Sequence, residues 1–322
     1  MTLRRLANLW KAQTSFRKTS AFHRSADRAF RLLTLLCAVS TLLLVGAILW
    51  NLVENAWPSI TRFGLGFVTS SQWNPVKSQY GAASSIYGTL VSTAIALILA
   101  LPISVAIALF LTSYAPPWLA RIVGTCVELL AAIPSIVYGT WGLFVFAPYM
   151  QKTVQPMLAK LPGPLFDGAP LGVGMLTAGI ILALMILPFL TAVMRDVFSM
   201  TPPVLLESAA GMGSTSWEVT RKIAIPYGLR GLIGATFLGL GRAIGETMAV
   251  TFVIGNSHRI STSLFAPGNT IASTLANEFN EADSPLLEAA LIELGLILFV
   301  ITLIIQILAH LWLRSLQKRQ AR

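Results

Sequence analysis

The chain has 322 residues, 55% of them hydrophobic and only 11% charged, with a mean hydropathy of +0.72. That is more apolar surface than a soluble fold of this length buries, so composition excludes an ordinary water-soluble domain and makes the bilayer the natural solvent. The net charge of +10 does not mark a nucleic-acid binder, because the 23 Lys and Arg residues cluster at the ends of apolar runs and not as a patch on a folded domain.

In chain order, a basic lead (1–31) comes first, with Arg4, Arg5, Lys11, Arg17, Lys18, Arg24, Arg28 and Arg31. The apolar run behind it closes on Val53-Glu54-Asn55-Ala56-Trp57-Pro58 without a small-x-small cleavage site, which reads as an uncleaved anchor. A span of hydrocarbon takes roughly 20 helical residues. Six runs reach that length, at about 32–53, 86–112, 123–148, 172–194, 232–255 and 289–313. Ser84 and Ser85 precede the second as possible caps, Ala115-Pro116-Pro117 ends it, and Pro134 lies inside the third as a kink. Cys37 and Cys126 both fall in apolar runs and read as small core residues.

Basic residues orient the spans. The lead, the 195–231 segment (Arg195, Arg221, Lys222, Arg230) and the tail (Arg314, Lys318, Arg319, Arg322) belong on one side, while the 256–288 loop carries Glu278, Glu281, Asp283 and Glu288 on the other. The asymmetry puts both termini in the cytoplasm. The organisation is therefore a lead (1–31), an all-α six-span bundle (32–313) and a basic tail (314–322), with no soluble domain larger than a loop.

The 195–231 segment has its own structure. Thr201 can cap a short helix opened by Pro202 or Pro203, and Gly211 and Gly213 stop it. Thr215-Ser216-Trp217-Glu218 has the form of a capping box, predicting a second helix from about Ser216 to Ile225 before Pro226. Periodicity alone leaves an amphipathic hairpin on the membrane surface open as the lesser alternative. The spelling is more specific. Glu207-Ser208-Ala209, then Gly213, then Ile223-Ala224-Ile225-Pro226 resembles the E-A-A-x-x-x-G-x9-I-x-L-P signature of ABC importer permeases, with Ser208 and Ile225 as conservative departures. The resemblance implies an ABC type I permease bundle whose cytoplasmic coupling helix, between spans four and five, seats in a separate ATPase. It thereby implies Glu207, Ser208, Ala209, Gly213, Ile223 and Pro226 as ATPase-coupling contacts, with no catalytic residue. None of the seven lysines follows a glycine, so the chain has no phosphate-binding Walker loop of its own.

The fifth span reads Gly241-Arg242-Ala243-Ile244-Gly245-Glu246-Thr247. An arginine or acid at the bilayer centre costs roughly 2.5–3.5 kcal/mol, so such residues face a bundle interior or a wet cavity. Spaced four apart, Arg242 and Glu246 share one helix face. Two readings follow: a structural ion pair, with Gly241 and Gly245 admitting a neighbouring backbone, or a polar lining on the route of an anion, whose oxygens a guanidinium matches in pairs. Glu128 and Glu293 read as structural or boundary groups.

Glu128-Leu-Leu-Ala-Ala-Ile-Pro134-Ser-Ile-Val-Tyr-Gly139, the Gly241 to Val250 run, Glu293 to Thr302, Trp73-Asn-Pro75 and Ile86-Tyr-Gly-Thr-Leu90 are similar to the phosphate-specific members of that permease family over nearly the whole chain after residue 30. The resemblance implies one of two membrane subunits of a bacterial inner-membrane phosphate importer. Its implied partners are a sister permease (PstA-like), a homodimeric ATPase (PstB-like) and a periplasmic phosphate-binding protein (PstS-like). No cofactor is implied for this chain, ATP and Mg being used by the ATPase. Arg242, Glu246 and Thr247 become the substrate pathway by the same resemblance, and Glu128, Pro134, Gly241 and Gly245 structural positions. A permease for another oxyanion and an ion-driven secondary transporter are the alternatives; an intramembrane enzyme lacks any His or metal spacing for catalysis.

Overall fold

A computed structural model describes the backbone of residues 3–320 and the side chains of 26–314. The basic residues Arg4, Arg5, Lys11, Arg17, Lys18 and Arg24 of the lead, and Lys318, Arg319 and Arg322 of the tail, lie outside the described side chains. Among the described residues all regular structure is helical apart from an isolated bridge between Asn74 and Gln79. The chain divides into two units, Met1–Glu54 and Asn55–Arg322.

Helix α1 (Leu3–Phe63) contains the first expected span inside its Ala26–Phe63 portion. A short α2 (Gly66–Thr69) leads to α3 (Ala83–Tyr114), then α4 (Pro117–Ala131) and α5 (Ser135–Leu158). Next come α6 (Met175–Ser199), α7 (Pro203–Gly211), α8 (Ser216–Ile244), a four-residue α9 (Met248–Thr251), α10 (Ile271–Glu278) and α11 (Pro285–Gln320). Five helices are each long and apolar enough to cross a membrane, and the α4–α5 pair makes a sixth if the two count as one crossing.

Several expected boundaries move. The third span is not one kinked helix over 123–148: α4 and α5 meet at 87°. Pro134 has no N–H to donate and holds its predecessor away from helical geometry, so the ladder stops. Helix α5 in turn runs to Leu158, through much of what reads as a loop. Ser84 and Ser85 do not cap α3, which starts at Ala83 behind Ala82 with no side-chain cap. Thr201 caps nothing: Pro202 takes the N-cap position of α7, and the Thr201 hydroxyl is buried without a partner. Pro226 does not end a helix either, because α8 continues through it to Ile244.

The last point has a regular cause. Wide π-type turns occupy Phe110–Tyr114, Gly142–Phe146, Met150–Val154 and Thr220–Ala224, and each ends two residues before a proline: Pro116, Pro148, Pro156 and Pro226. A proline ring collides with the carbonyl four residues back in an α-helix, and a wider preceding turn moves that carbonyl aside.

The core of the larger unit forms where α3 meets α6. Gly88, Ser92, Ala96, Ala100, Ser104 and Ala108, spaced four apart, make a buried stripe of small residues down α3. Stripes of this kind let helix backbones approach closely in a membrane, where water expulsion contributes nothing to helix association. Ile181, Leu182, Met185, Ile186, Leu190 and Met194 of α6, all buried, share its core. The Ser104 hydroxyl crosses to donate to the Leu187 carbonyl at 3.2 Å.

Beyond the Met175 end of α6, residues 252–284 fold back over the bundle. Asn269 is the centre of this cap: its Nδ2 lies 2.7 Å from Ser85 Oγ, 3.0 Å from Thr274 Oγ1 and 3.0 Å from His258 Nδ1. His258 stacks on Trp73, and both reach Glu278, Trp73 Nε1 donating to Oε2 at 2.7 Å and His258 Nε2 lying 3.0 Å from Oε1. Thr270 and Ser273 box the start of α10.

Candidate translocation face and coupling segment

Helix α8 buries one side and bares another. Ala235, Gly239 and Ala243 face inward, and a methyl group on Gly239 would lie 2.5 Å from a methyl of Leu190, so glycine brings α8 down onto α6. About a quarter-turn round the helix Leu238 is 55% exposed, with Arg242 and Gly245 exposed along the same stripe. Large apolar side chains are exposed all over this molecule, as lipid-facing residues are; a bare arginine among them is not explained by lipid.

The guanidinium of Arg242 sits over the Phe189 ring of α6, 5.5 Å from its centre. That contact favours the charge through the ring's electron-rich face without neutralising it. Among the described residues Arg242 forms no salt bridge.

The expected shared helix face of Arg242 and Glu246 is absent, because the fifth span is not one helix over 232–255. Helix α8 stops at Ile244, Gly245 closes it, and Met248 opens α9. Glu246 turns to the new helix, where its Oε1 accepts the Ala249 N–H at 3.2 Å. Thr247 holds the N-cap position of α9, and its hydroxyl donates to the Gly245 carbonyl at 3.3 Å. The break thus brings the three candidates together in sequence while dividing their work: Arg242 free on the face, Glu246 and Thr247 shaping the turn beside it. Glycine permits α9 to lie against α5, since a methyl on Gly139 would come within 2.8 Å of Phe252 and 3.0 Å of the Ala249 backbone.

Gly241 and Gly245 do not admit a neighbouring backbone of this chain. A methyl on Gly241 would meet Nε2 of Gln306 on α11 at 3.3 Å, and one on Gly245 would touch only its own helix, at 3.6 Å. The stripe is small because it is bare, not because it is packed.

Glu128 does have a partner, on another helix. Arg195 Nη2 of α6 donates to its Oε1 at 2.6 Å, passing over Gly124. Glu293 is buried on α11.

At the Ser199 end of α6 the coupling candidates form a knob. Helix α7 buries Ala209 and exposes Glu207 and Ser208, with Val204, Leu205, Met212 and Trp217 exposed around them. Gly213, at φ +89°, turns the chain out of α7 in a conformation other residues resist, and its N–H reaches the Ala210 carbonyl at 2.9 Å. The Thr215–Glu218 capping box forms as expected, with Thr215 N–H donating to Glu218 Oε2 at 3.0 Å and Glu218 N–H to Thr215 Oγ1 at 3.3 Å. Ile223 is half-buried and Pro226 exposed on the first turns of α8. The exposed Glu207 carboxylate thus shares its segment with four exposed large apolar side chains, Val204, Leu205, Met212 and Trp217.

Residues 100–320 match the family of binding-protein-dependent transport system inner membrane components. The chain belongs to this family. It is accordingly a multi-pass inner-membrane permease component, and not an ATPase. The curated protein "Phosphate transport system permease protein PstC" of Pasteurella multocida (strain Pm70) is 51% identical over 306 residues, 93% of this chain and 95% of its own. The protein of that name in Haemophilus influenzae is 52% identical over 302 residues, 92% of this chain and 96% of its own. Among solved structures, a bacterial alginate ABC transporter in complex with its pentasaccharide-bound periplasmic protein aligns at a TM-score of 0.56 and 18% identity, over 86% of this permease and 94% of that chain. An inward-facing MetNI methionine ABC transporter aligns at 0.52 and 17%, over 72% and 92%. At such identities the two structures speak for the fold alone, that of ABC type I importer membrane subunits.

Sequence reasoning passed over Gln306, Phe189 and the partnership of Arg195. Gln306 had a signal: it is the lone amide in the apolar 294–309 stretch of α11. The other two depend on contacts between spans, which no single-helix pattern reports.

Proposed function

We propose that this permease is one of two membrane subunits of an ATP-driven phosphate importer, and that the bare Arg242 face of α8 is its half of the route. The carrying observation is an arginine inside a membrane-spanning segment, exposed, held by an aromatic ring and unmatched by a carboxylate. Such a charge is costly unless a polar passage adjoins it. Near-full-length identity of about half to curated phosphate permeases supports phosphate as the cargo.

In this reading the termini and the α7 knob are cytoplasmic, and the 252–284 cap faces the periplasm. A periplasmic phosphate-binding protein (PstS-like) delivers cargo to that outer side. A homodimeric ATPase (PstB-like) receives α7, with Glu207, Ser208, Ala209 and Gly213 in its groove and Ile223 and Pro226 carrying the motion into α8. A sister permease (PstA-like) completes the route opposite Arg242. ATP and Mg are used by the ATPase, and this chain contributes no cofactor site. Arg242 offers paired N–H donors to two oxyanion oxygens, and its arene support keeps the site weak enough to release cargo. Glu246 and Thr247 keep the helix break that exposes it.

The test is uptake of radiolabelled phosphate into proteoliposomes holding the complete complex. Phosphate should be accumulated with ATP, unlabelled sulfate and molybdate should compete poorly, and an ATPase and a second permease should copurify. Arg242→Gln should abolish uptake while the complex still assembles. Unchanged uptake by that variant would falsify the route, and sulfate accumulation in place of phosphate would overturn the cargo.

A further inference from the structure

We propose that Gln306 of α11 is a second element of the route beside Arg242, its amide serving the protonated oxygen of the passing oxyanion; this rests on the function proposed above. Three observations meet at this residue. It lies at the level of Arg242, since a methyl on the adjacent Gly241 would come within 3.3 Å of its Nε2. It is exposed within a helix whose neighbouring positions are apolar, and it makes no hydrogen bond to the described residues. A primary amide turned to hydrocarbon without a partner forfeits its hydrogen bonds, so its position is costly unless the face it shares with Gly241 is wet.

Chemistry says what the amide adds. Arginine only donates, so it serves the bare oxygens of an oxyanion but not a P–OH group, which needs an acceptor. Glu246, the acid next along this span, accepts the Ala249 N–H through Oε1, and its charge would repel the passing anion. The Gln306 carbonyl is neutral, so it accepts from P–OH without repelling the anion, and its NH2 donates to a neighbouring oxygen. A fully ionised oxyanion such as sulfate offers that carbonyl nothing. Gly241 is the complement of this arrangement, leaving the amide room to swing between helix and passage.

The experiment compares Gln306→Leu, Gln306→Asn and Arg242→Gln in the reconstituted complex, measuring phosphate uptake, ATP hydrolysed per phosphate carried, and thermal stability. Loss of one hydrogen bond to the passing ion should lower uptake by Gln306→Leu about tenfold. Assembly, stability and ATP hydrolysis should stay as in the unaltered protein, so more ATP is spent per phosphate, and Gln306→Asn should recover much of the loss. If Gln306→Leu carries phosphate normally while Arg242→Gln does not, Gln306 is off the route and the inference fails with the function intact. If neither variant alters uptake, the proposed route itself is wrong. A Gln306→Leu complex that loses uptake only together with stability, or an Asn variant no better than Leu, assigns the residue to packing and overturns the inference.

Discussion

At the scale of single residues, two arginines have opposite structural fates. Arg242 keeps its charge uncompensated. Arg195 is tied across a helix, from α6 over Gly124 to Glu128 of α4, with side-chain exposures of 25% and 56%. A pair this accessible stabilises by about 0–1 kcal/mol, so its value lies in fixing where α4 rests and not in stability at large. Reversing one charge, by Arg195→Glu or Glu128→Arg, should therefore cut ATP-dependent uptake while lowering the melting temperature by only a few degrees. Exchanging the two charges should restore most of the uptake, and a double exchange no better than the singles would refute the tie. Gly124→Ala tests the same geometry more gently, because its methyl would meet only the flexible tip of Arg195, at 2.3 Å.

At the scale of elements, the stripe from Gly88 to Ala108 is the main seam of the larger unit, and Gly88 is its least replaceable member. A methyl there would stand 1.9 Å from the backbone carbonyl oxygen of Asn269, and backbone cannot step aside as an arginine tip can. Gly88→Ala should cost about 3 kcal/mol or more, at the upper end of overpacking changes. The measurement is recovery of folded protein in mild detergent, with Ala96→Gly as a milder comparison in the same stripe. The contrast with sequence reasoning lies at this scale. Lengths of apolar run located α1, α3, α6 and α11 well, because hydrophobic length is a property of each segment alone. The capping box at Thr215 was legible for the same reason. Boundaries at proline were not: the sequence reading ends a helix at Pro226, whereas the π turn over Thr220–Ala224 carries α8 through it. Nor was the end of α8 at Ile244 legible, since the apolar run resumes at Met248 and the sequence reading carries one span through 232–255. What decides that break is Glu246 capping α9, and the packing of α9 on α5 that Gly139 allows. The four-residue repeat down α3 stood in the sequence throughout, but its meaning needs the knowledge that α6 faces it.

At the scale of the whole molecule, the permease folds around a covered seam and leaves a prepared face uncovered. The seam between α3 and α6 is complete within one chain. The Arg242 face and the α7 knob are exposed, and both present polar or charged groups that the proposed partners would cover. The coupling segment was legible as a motif and the Arg242 face as an intramembrane charge. That the face is bare, and so incomplete, became visible only when α6 and α11 were placed on either side of it.

The bare guanidinium over Phe189 also bears on how such a protein is made and discarded. In the proposed assembly, a chain released ahead of a sister subunit keeps its α3–α6 seam, yet displays a cation to lipid for as long as it waits. An uncompensated intramembrane charge costs the lone chain stability, and lost stability raises turnover in cells. In a pulse-chase experiment without the sister subunit, the chain should turn over several-fold faster than in the full set, and Arg242→Leu should lengthen its life while destroying its transport. Equal lifetimes for the two orphans would mean that the charge is hidden before assembly. A longer life for the Arg242→Leu orphan would instead make the residue proposed to meet the anion the one that also times the chain's survival.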